Sequence, residues 1–184
     1  MVIAYLVFLG LFAVERIAEL ALSRRNARVA LSRSGVESGA RHFRWMAAVH
    51  ALFLPACAAE VLLLQRPFPG LFGWICAAAA LGAQALRWWA ILSLGWRWNV
   101  RVIVVPGEPA VRRGPYRFLR HPNYLAVAVE MACVPLAHGA FLCAVLFSVA
   151  NLALLRVRVR IEEEALGPAW EREFSGVPRF LPHG

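Results

Sequence analysis

The sequence predicts an all-α integral membrane protein of about five transmembrane helices, the last two paired as a tight helical hairpin. Three observations carry that expectation. The chain of 184 residues is 60% hydrophobic, against about 45–50% for soluble domains, and its mean hydropathy is +0.59. Apolar runs recur at the length needed to cross about 30 Å of hydrocarbon. Between them, basic and nearly uncharged connectors alternate.

The elements follow in order. Residues 2–22 form a first apolar run, with neither the basic start nor the small-residue cleavage site of a signal peptide. Residues 23–44 read as a basic loop carrying Arg24, Arg25, Arg28, Arg33, Arg41 and Arg44. A second run covers 45–64, a short connector with two prolines covers 65–70, and a third run covers 71–94. Residues 95–122 are polar, arginine-rich and punctuated by Pro and Gly. The stretch 123–155 is too long for one ordinary helix and is interrupted at 135–139. It therefore reads as two helices, the second continuing to about residue 166. The tail 167–184 ends in Val-Pro-Arg-Phe-Leu-Pro, which cannot be helical throughout. Two parts result: residues 1–94 with three helices, and residues 95–184 with the polar loop, hairpin and tail.

All 20 basic residues are arginine, and the net charge is +9. The apolar content argues against a nucleic-acid partner. Basic segments at 23–44, 95–122 and the C-terminus alternate with the nearly neutral 65–70 and 136–139. The positive-inside rule then puts the N-terminus outside and the loop and tail in the cytoplasm. Short arginine-rich loops also suit anionic membrane lipids. The lack of lysine and heavy use of Arg and Ala point to a high-GC bacterium and its plasma membrane. Cys57, Cys76, Cys133 and Cys143 lie inside apolar runs without ligand spacing, so neither a disulfide framework nor a metal site is expected.

Ionisable groups at membrane depth are costly unless paired or facing a wet cavity. Glu15, Arg16, Glu19, Glu60, Arg87 and Glu130, with Asn151, are therefore candidates, although pairing between helices or a place near the interface explains the first three as well. The most informative stretch is Gly114-Pro-Tyr-Arg-Phe-Leu-Arg-His-Pro-Asn-Tyr124. Two Pro-containing breaks precede an apolar helix, gathering Tyr116, Arg120, His121 and Tyr124 at its start, where free N–H groups suit a polar or anionic ligand. A second cluster, Arg158-Val-Arg-Ile-Glu-Glu-Glu, ends the other hairpin helix on the same side. The hairpin should bring His121 near Glu162 and Glu163; alternatively the cluster is a solvated helix end with an Arg158–Glu162 pair. Trp98 and Asn99 adjoin this loop and are candidates for an acceptor pocket, while Trp88 and Trp89 fit an interfacial aromatic belt.

Together, Gly-Pro-Tyr-Arg-x-x-Arg-His-Pro-Asn-Tyr, the later Arg-Val-x-x-Glu-Glu-x-x-Leu, and Trp170 through Val177-Pro-Arg-Phe-Leu-Pro182 resemble the isoprenylcysteine carboxyl methyltransferase family over residues 95–182. The last of these departs from the pattern in having a shorter stretch before its proline. Upstream, Glu15-Arg-Ile-Ala-Glu-Leu-Ala-Leu-Ser-Arg-Arg-Asn26, Gly35-x-Glu37-x-Gly39, His42 and His50 are similar to a bacterial branch that accompanies type III polyketide synthases. The resemblance implies S-adenosylmethionine (SAM) as methyl donor, with residues 95–122 as a catalytic loop. It implies a cofactor site at Tyr116, His121, Pro122, Tyr124, Leu125, Arg158, Glu162 and Glu163. Arg120 would hold the acceptor oxygen, because a guanidinium suits a carboxylate or phenolate. Glu130 or His50 would assist a hydroxyl acceptor if they face the cavity. The acceptor implied is a lipophilic small molecule entering sideways from the bilayer, such as a lipidic polyketide or an isoprenylcysteine, methylated on carboxylate or hydroxyl oxygen. Two other classes compete: an NADPH-dependent sterol-type membrane reductase, and a non-enzymatic membrane scaffold.

Overall fold

The computed structural model describes residues 1–180; residues 181–184, with the Leu-Pro end of the C-terminal motif, lie outside the described residues. Five long helices follow one another: α1 (Val2–Ser32), α2 (Ala40–Leu63), α3 (Leu71–Leu94), α4 (Pro122–Leu136) and α5 (Phe141–Glu173). Three of them, α2, α3 continued to Arg97, and α5, are long and apolar enough to cross a membrane. The other two differ from that standard for separate reasons. α1 carries Glu15, Arg16 and Glu19 in its apolar half, and α4 has only 15 residues, about 22 Å of helix.

The basic segment 23–44, expected as a loop, is mostly helix. α1 runs ten residues further than its apolar run because nothing breaks it before Gly35. Ser23, Asn26, Ala27 and Ala30 are buried there, a helical stripe of small and polar residues. The last helix also outruns expectation, reaching Glu173 through a kink at Gly167, whose φ of 76° and ψ of 179° are non-helical. Glycine tolerates that geometry, and Pro168 restarts the helix. Unexpected too is a two-stranded antiparallel ribbon, β1 (Val36–Ser38) on β2 (Val102–Val104), registered Val36 to Val104 and Ser38 to Val102. It fastens the α1–α2 connector to the long loop after α3.

The core runs along the bundle through Tyr5, Leu9 and Phe12 of α1, Phe53, Cys57 and Val61 of α2, Ala80 of α3, and Met131 and Val134 of α4. Alanines with no exposed surface, Ala80, Ala90 and Ala126, let helix backbones approach closely. Opposite the core, Ile3, Val7, Leu11, Val14 and Ile17 of α1 are each more than half exposed. An apolar stripe of that length facing outward fits lipid rather than water. The four cysteines are free thiols, and no metal-holding cluster occurs among the described residues.

Glu60 illustrates how a buried acid is accommodated. Its oxygens accept from the N–H groups of Leu142 (3.1 Å) and Cys143 (2.7 Å) at the start of α5, and Arg66 lies 3.0 Å away. The carboxylate from α2 thus serves as a distant cap for the α5 N-terminus. Replacing Glu60 with Ala should cost about 1–2 kcal/mol, visible as a lowered unfolding temperature in detergent. An unchanged midpoint would remove this role. Asn151, by contrast, is fully buried, and its amide has no hydrogen-bond partner among the described residues.

Candidate active site

The chain between α3 and α4 is held in place by side chains from α1. Asn26 donates to the carbonyls of Gly95 (3.1 Å) and Trp98 (2.8 Å). Ser23 donates to Asn99 Oδ1 (2.9 Å) and accepts from Val100 N–H, while Asn99 donates to the Ser23 carbonyl. Gly114, at φ 58°, sits where a Cβ would collide with Ser93, and it opens the short 3-10 turn Gly114–Arg117. Pro122 is then the first residue of α4, a position that suits its missing N–H.

A cavity of about 820 Å³ lies between the ribbon, the loop 94–111, the start of α4 and the end of α5. Pockets for drug-sized ligands occupy about 300–1,000 Å³. Tyr116, Arg120, His121, Tyr124, Arg158, Glu162, Trp98 and Asn99 all line it. Tyr124 hydroxyl donates to Glu162 Oε2 and accepts from Arg158 Nε at 3.0 Å. Arg158 also donates to the Val100 carbonyl (2.9 Å), so it joins α5 to α4 and the loop rather than pairing with Glu162 one turn away. Burial pushes the Tyr116 phenol well above its ordinary range, with Glu162 and Tyr124 adding to the effect.

The two acids of the Glu162-Glu163 pair face different partners. Glu162 turns to the cavity and Tyr124. Glu163 accepts from His121 Nε2 (3.0 Å) and from Arg179 Nε and Nη2 (3.0 and 2.7 Å). A carboxylate only accepts, so His121 carries its proton on Nε2. Glu163 stands on the charged end of α5, past the apolar stretch 141–155. Burial works against its charge, but the hydrogen bonds from His121 and Arg179 win and hold its carboxyl down at about 2.

The C-terminal segment forms a strap across this region. Arg120 N–H donates to Pro178 O (2.9 Å) and His121 N–H to Arg179 O (3.2 Å), while the Tyr124 and Leu125 N–H groups turn back to His121 O. The free N–H groups expected at the α4 start are therefore largely taken, since the strap and the first helical turn use them. Arg120 also spends its Nε on Val177 O (2.6 Å), with its guanidinium 5.9 Å from the Trp170 ring. His121 stacks on Tyr124, centroids 5.3 Å apart, with Trp170 and Phe180 alongside.

Several expected residues stand elsewhere. Pro122 and Leu125 shape the helix start without lining the cavity, and Asn99 lines it with its amide largely committed to Ser23. Glu130 and His50 do not line it. Glu130 is paired with Arg16 (2.9 Å), and His50 Nδ1 faces its own helix at Met46 O (2.9 Å). Conversely, sequence reasoning gave no site role to Asn123, Trp96 or Trp170, all of which line the cavity. Asn123 sits inside the motif and its buried Oδ1 has no hydrogen-bond partner among the described residues. Trp96 lies between Arg33 and Arg97, 4.6 and 4.8 Å from their guanidinium carbons.

The residues present fit SAM. Its sulfonium and ammonium suit the carboxylate of Glu162 and aromatic faces such as Trp170. Its carboxylate suits the arginines, and its hydroxyls suit Asn123 Oδ1.

An apolar helical bundle with a charged, aromatic-walled cavity at one end has the architecture of a membrane protein. Residues 74–168 match the Isoprenylcysteine carboxyl methyltransferase (ICMT) family, and the chain belongs to it; it is a membrane methyltransferase by family. It is 38% identical over 158 residues to the uncharacterized protein YpbQ of Bacillus subtilis (strain 168), covering 86% of this chain and 94% of that one. It is also 25% identical over 152 residues to an uncharacterized protein of Haemophilus influenzae, covering 82% and 88%.

Proposed function

We propose that this protein is a SAM-dependent methyltransferase that acts on an oxygen of a lipophilic small molecule. The observation that carries the reading is the Tyr124–Glu162–Arg158 arrangement lining a cavity beside His121. SAM, when bound, supplies an electrophilic methyl group on a sulfonium. The protein's part is to position donor and acceptor and to exclude water. Glu162 and Asn123 orient the cationic and hydroxyl groups of the cofactor. His121 and Trp170 wall the site under the C-terminal strap, and Arg120 directs a guanidinium toward the acceptor oxygen.

The acceptor reaches the cavity from the bilayer, which the exposed apolar stripe of α1 and the exposed Leu142, Val145, Leu146 and Val149 of α5 face. Topology follows the arginines: the cavity lies on the cytoplasmic side of a bacterial plasma membrane, where Arg24, Arg28, Arg41 and Arg160, all exposed, meet anionic lipids. A lipidic polyketide hydroxyl is the acceptor favoured by the polyketide-associated branch the N-terminal half resembles.

Calorimetry on the detergent-purified protein tests this, with SAM and NADPH titrated in parallel. Micromolar binding of SAM and none of NADPH is expected; the reverse would make the protein a reductase, and binding of neither would favour a scaffold. Arg120→Ala should depress turnover about tenfold or more while shifting SAM affinity less than about threefold. The backbone bonds from Arg120 and His121 still hold the strap in that variant. Equal losses in both quantities would place Arg120 on the cofactor instead.

A further inference from the structure

Two sets of buried polar groups lie outside the cofactor cavity. Between α1, α3 and α4, Arg87 donates to Glu19 from Nη2 at 2.7 Å and also from Nε, and Arg16 joins Glu19 to Glu130. That network pairs its own charges. The other set stands at the far end of the bundle. There a cavity of about 350 Å³ opens between the start of α1, the end of α2 and the α4–α5 turn, with Val61, Leu62, Arg66, Phe68 and His138 on its wall. The cofactor cavity meets α4 at its first residues, whereas His138 follows its last, Leu136, so the helix length of about 22 Å separates the two.

His138 is only 2% exposed, and neither ring nitrogen has a hydrogen-bond partner among the described residues. Its ring lies between those of Tyr5 and Phe68, with centroids 5.0 and 5.8 Å away. The Tyr5 hydroxyl is spent on Val134 O (3.2 Å) and does not help. An imidazole buried in this way is costly unless something completes it. The turn after α2 places Arg66 on the same wall. Arg66 N–H closes onto Val61 O (3.1 Å), with Gln65 at φ 49°, the geometry of a Schellman turn. The guanidinium donates from Nε to Glu60 Oε1 (3.1 Å), and Nη2 lies 3.0 Å from the same oxygen. Three of its five N–H donors remain. Glu60 is also met by the N–H groups and positive end of α5, so it does not cancel the Arg66 charge by itself.

We propose that this second cavity seats the headgroup of a phospholipid that carries a free headgroup hydroxyl, on the membrane face opposite the cofactor cavity. The phosphate meets Arg66 and the hydroxyl meets His138. A phosphate diester only accepts, so by itself it leaves one nitrogen of a neutral imidazole without a donor; a hydroxyl both donates and accepts. A lipid, rather than a free phosphate ester, fits the rim: Val2, Ile3, Leu62 and Leu63 are exposed apolar side chains at the same end of the bundle, along which acyl chains lie. The volume is at the low end for ligand pockets, about 300–1,000 Å³, as suits a headgroup with its chains outside. This site is independent of the methyltransferase reading.

Native mass spectrometry of the full chain in detergent micelles tests it, titrated with dioleoyl phosphatidylglycerol and dioleoyl phosphatidylmethanol. These lipids share chains and charge, and only the first has headgroup hydroxyls, so exposed arginines elsewhere bind both alike. The wild type should bind phosphatidylglycerol about tenfold more tightly or better. His138→Leu fills the space without a polar atom to leave unmade, and should bring the two affinities within about twofold. Glycerol phosphate in about hundredfold excess should not displace the bound lipid. Equal wild-type affinity for the two lipids would leave His138 to a buried water and overturn the proposal, whatever the variant does. A preference that survives in folded His138→Leu would also overturn it, and displacement by glycerol phosphate would overturn the assignment to a lipid.

Discussion

A Glu163→Gln variant should bind SAM about tenfold more weakly or worse, with its helices intact. Glu163 is not itself on the cavity wall, so the effect runs through what it holds. It accepts from His121 Nε2 and from two nitrogens of Arg179, and thereby fixes an aromatic wall and the C-terminal strap together. Gln keeps the shape but loses the charge and replaces one acceptor oxygen with a donor, so neither partner is held as before. Tenfold corresponds to about 1.4 kcal/mol, modest for two charge-assisted contacts and reasonable for a carboxylate that is partly exposed. Arg179→Ala should reproduce part of the loss, and the double variant should lose less than the sum. The carboxyl is held down at about 2 from an ordinary 4.5. Its contribution is therefore fully present above about pH 4.5 and fades as pH falls toward 2, so Glu163 adds no pH dependence to SAM binding between pH 5 and 8. Calorimetry on the variant decides: a wild-type affinity would mean that His121 and the strap are positioned by packing alone.

Much of this arrangement was legible in the sequence, for physical reasons that differ between elements. The bounds of α3 matched because Gly70 and Gly95 punctuate an uninterrupted apolar run. The α4–α5 hairpin was visible from the Pro135–Gly139 break, and it brings His121 within hydrogen-bonding distance of Glu163. The extension of α1 was missed because apolar character stops near residue 22, whereas the helix continues on Ser23, Asn26, Ala27 and Ala30 buried against the loop. The ribbon was missed because three-residue strands carry too little alternation to register, although Val102-Ile-Val is β-branched throughout. Asn123 was overlooked inside a motif read for its charged and aromatic members. Glu130 could be recognised as a buried acid, but only the packing of α1, α3 and α4 shows that it faces Arg16 and not the cofactor cavity.

The largest loss of stability is expected from breaking the Glu19–Arg87 pair. In Arg87→Met, the helix and the apolar stem are kept while the guanidinium disappears. Arg16 still reaches Glu19 Oε2 at 2.7 Å, but Oε1 is left without its donor, and Glu130 loses one of its two nearby positive groups. Removing one partner of a buried pair costs about 3–5 kcal/mol; because Arg16 remains, about 3 kcal/mol is the expected figure here. The penalty comes from the stranded charge more than from the lost attraction. The Glu19→Leu/Arg87→Met double variant removes both charges and should therefore recover most of the stability, even though it lacks the same contacts. Reversible unfolding in mixed micelles of all three variants separates these accounts. If the double variant is less stable than Arg87→Met by the full cost of Glu19→Leu alone, the two residues do not act as a pair and the bundle is held at that level by something other than their charges.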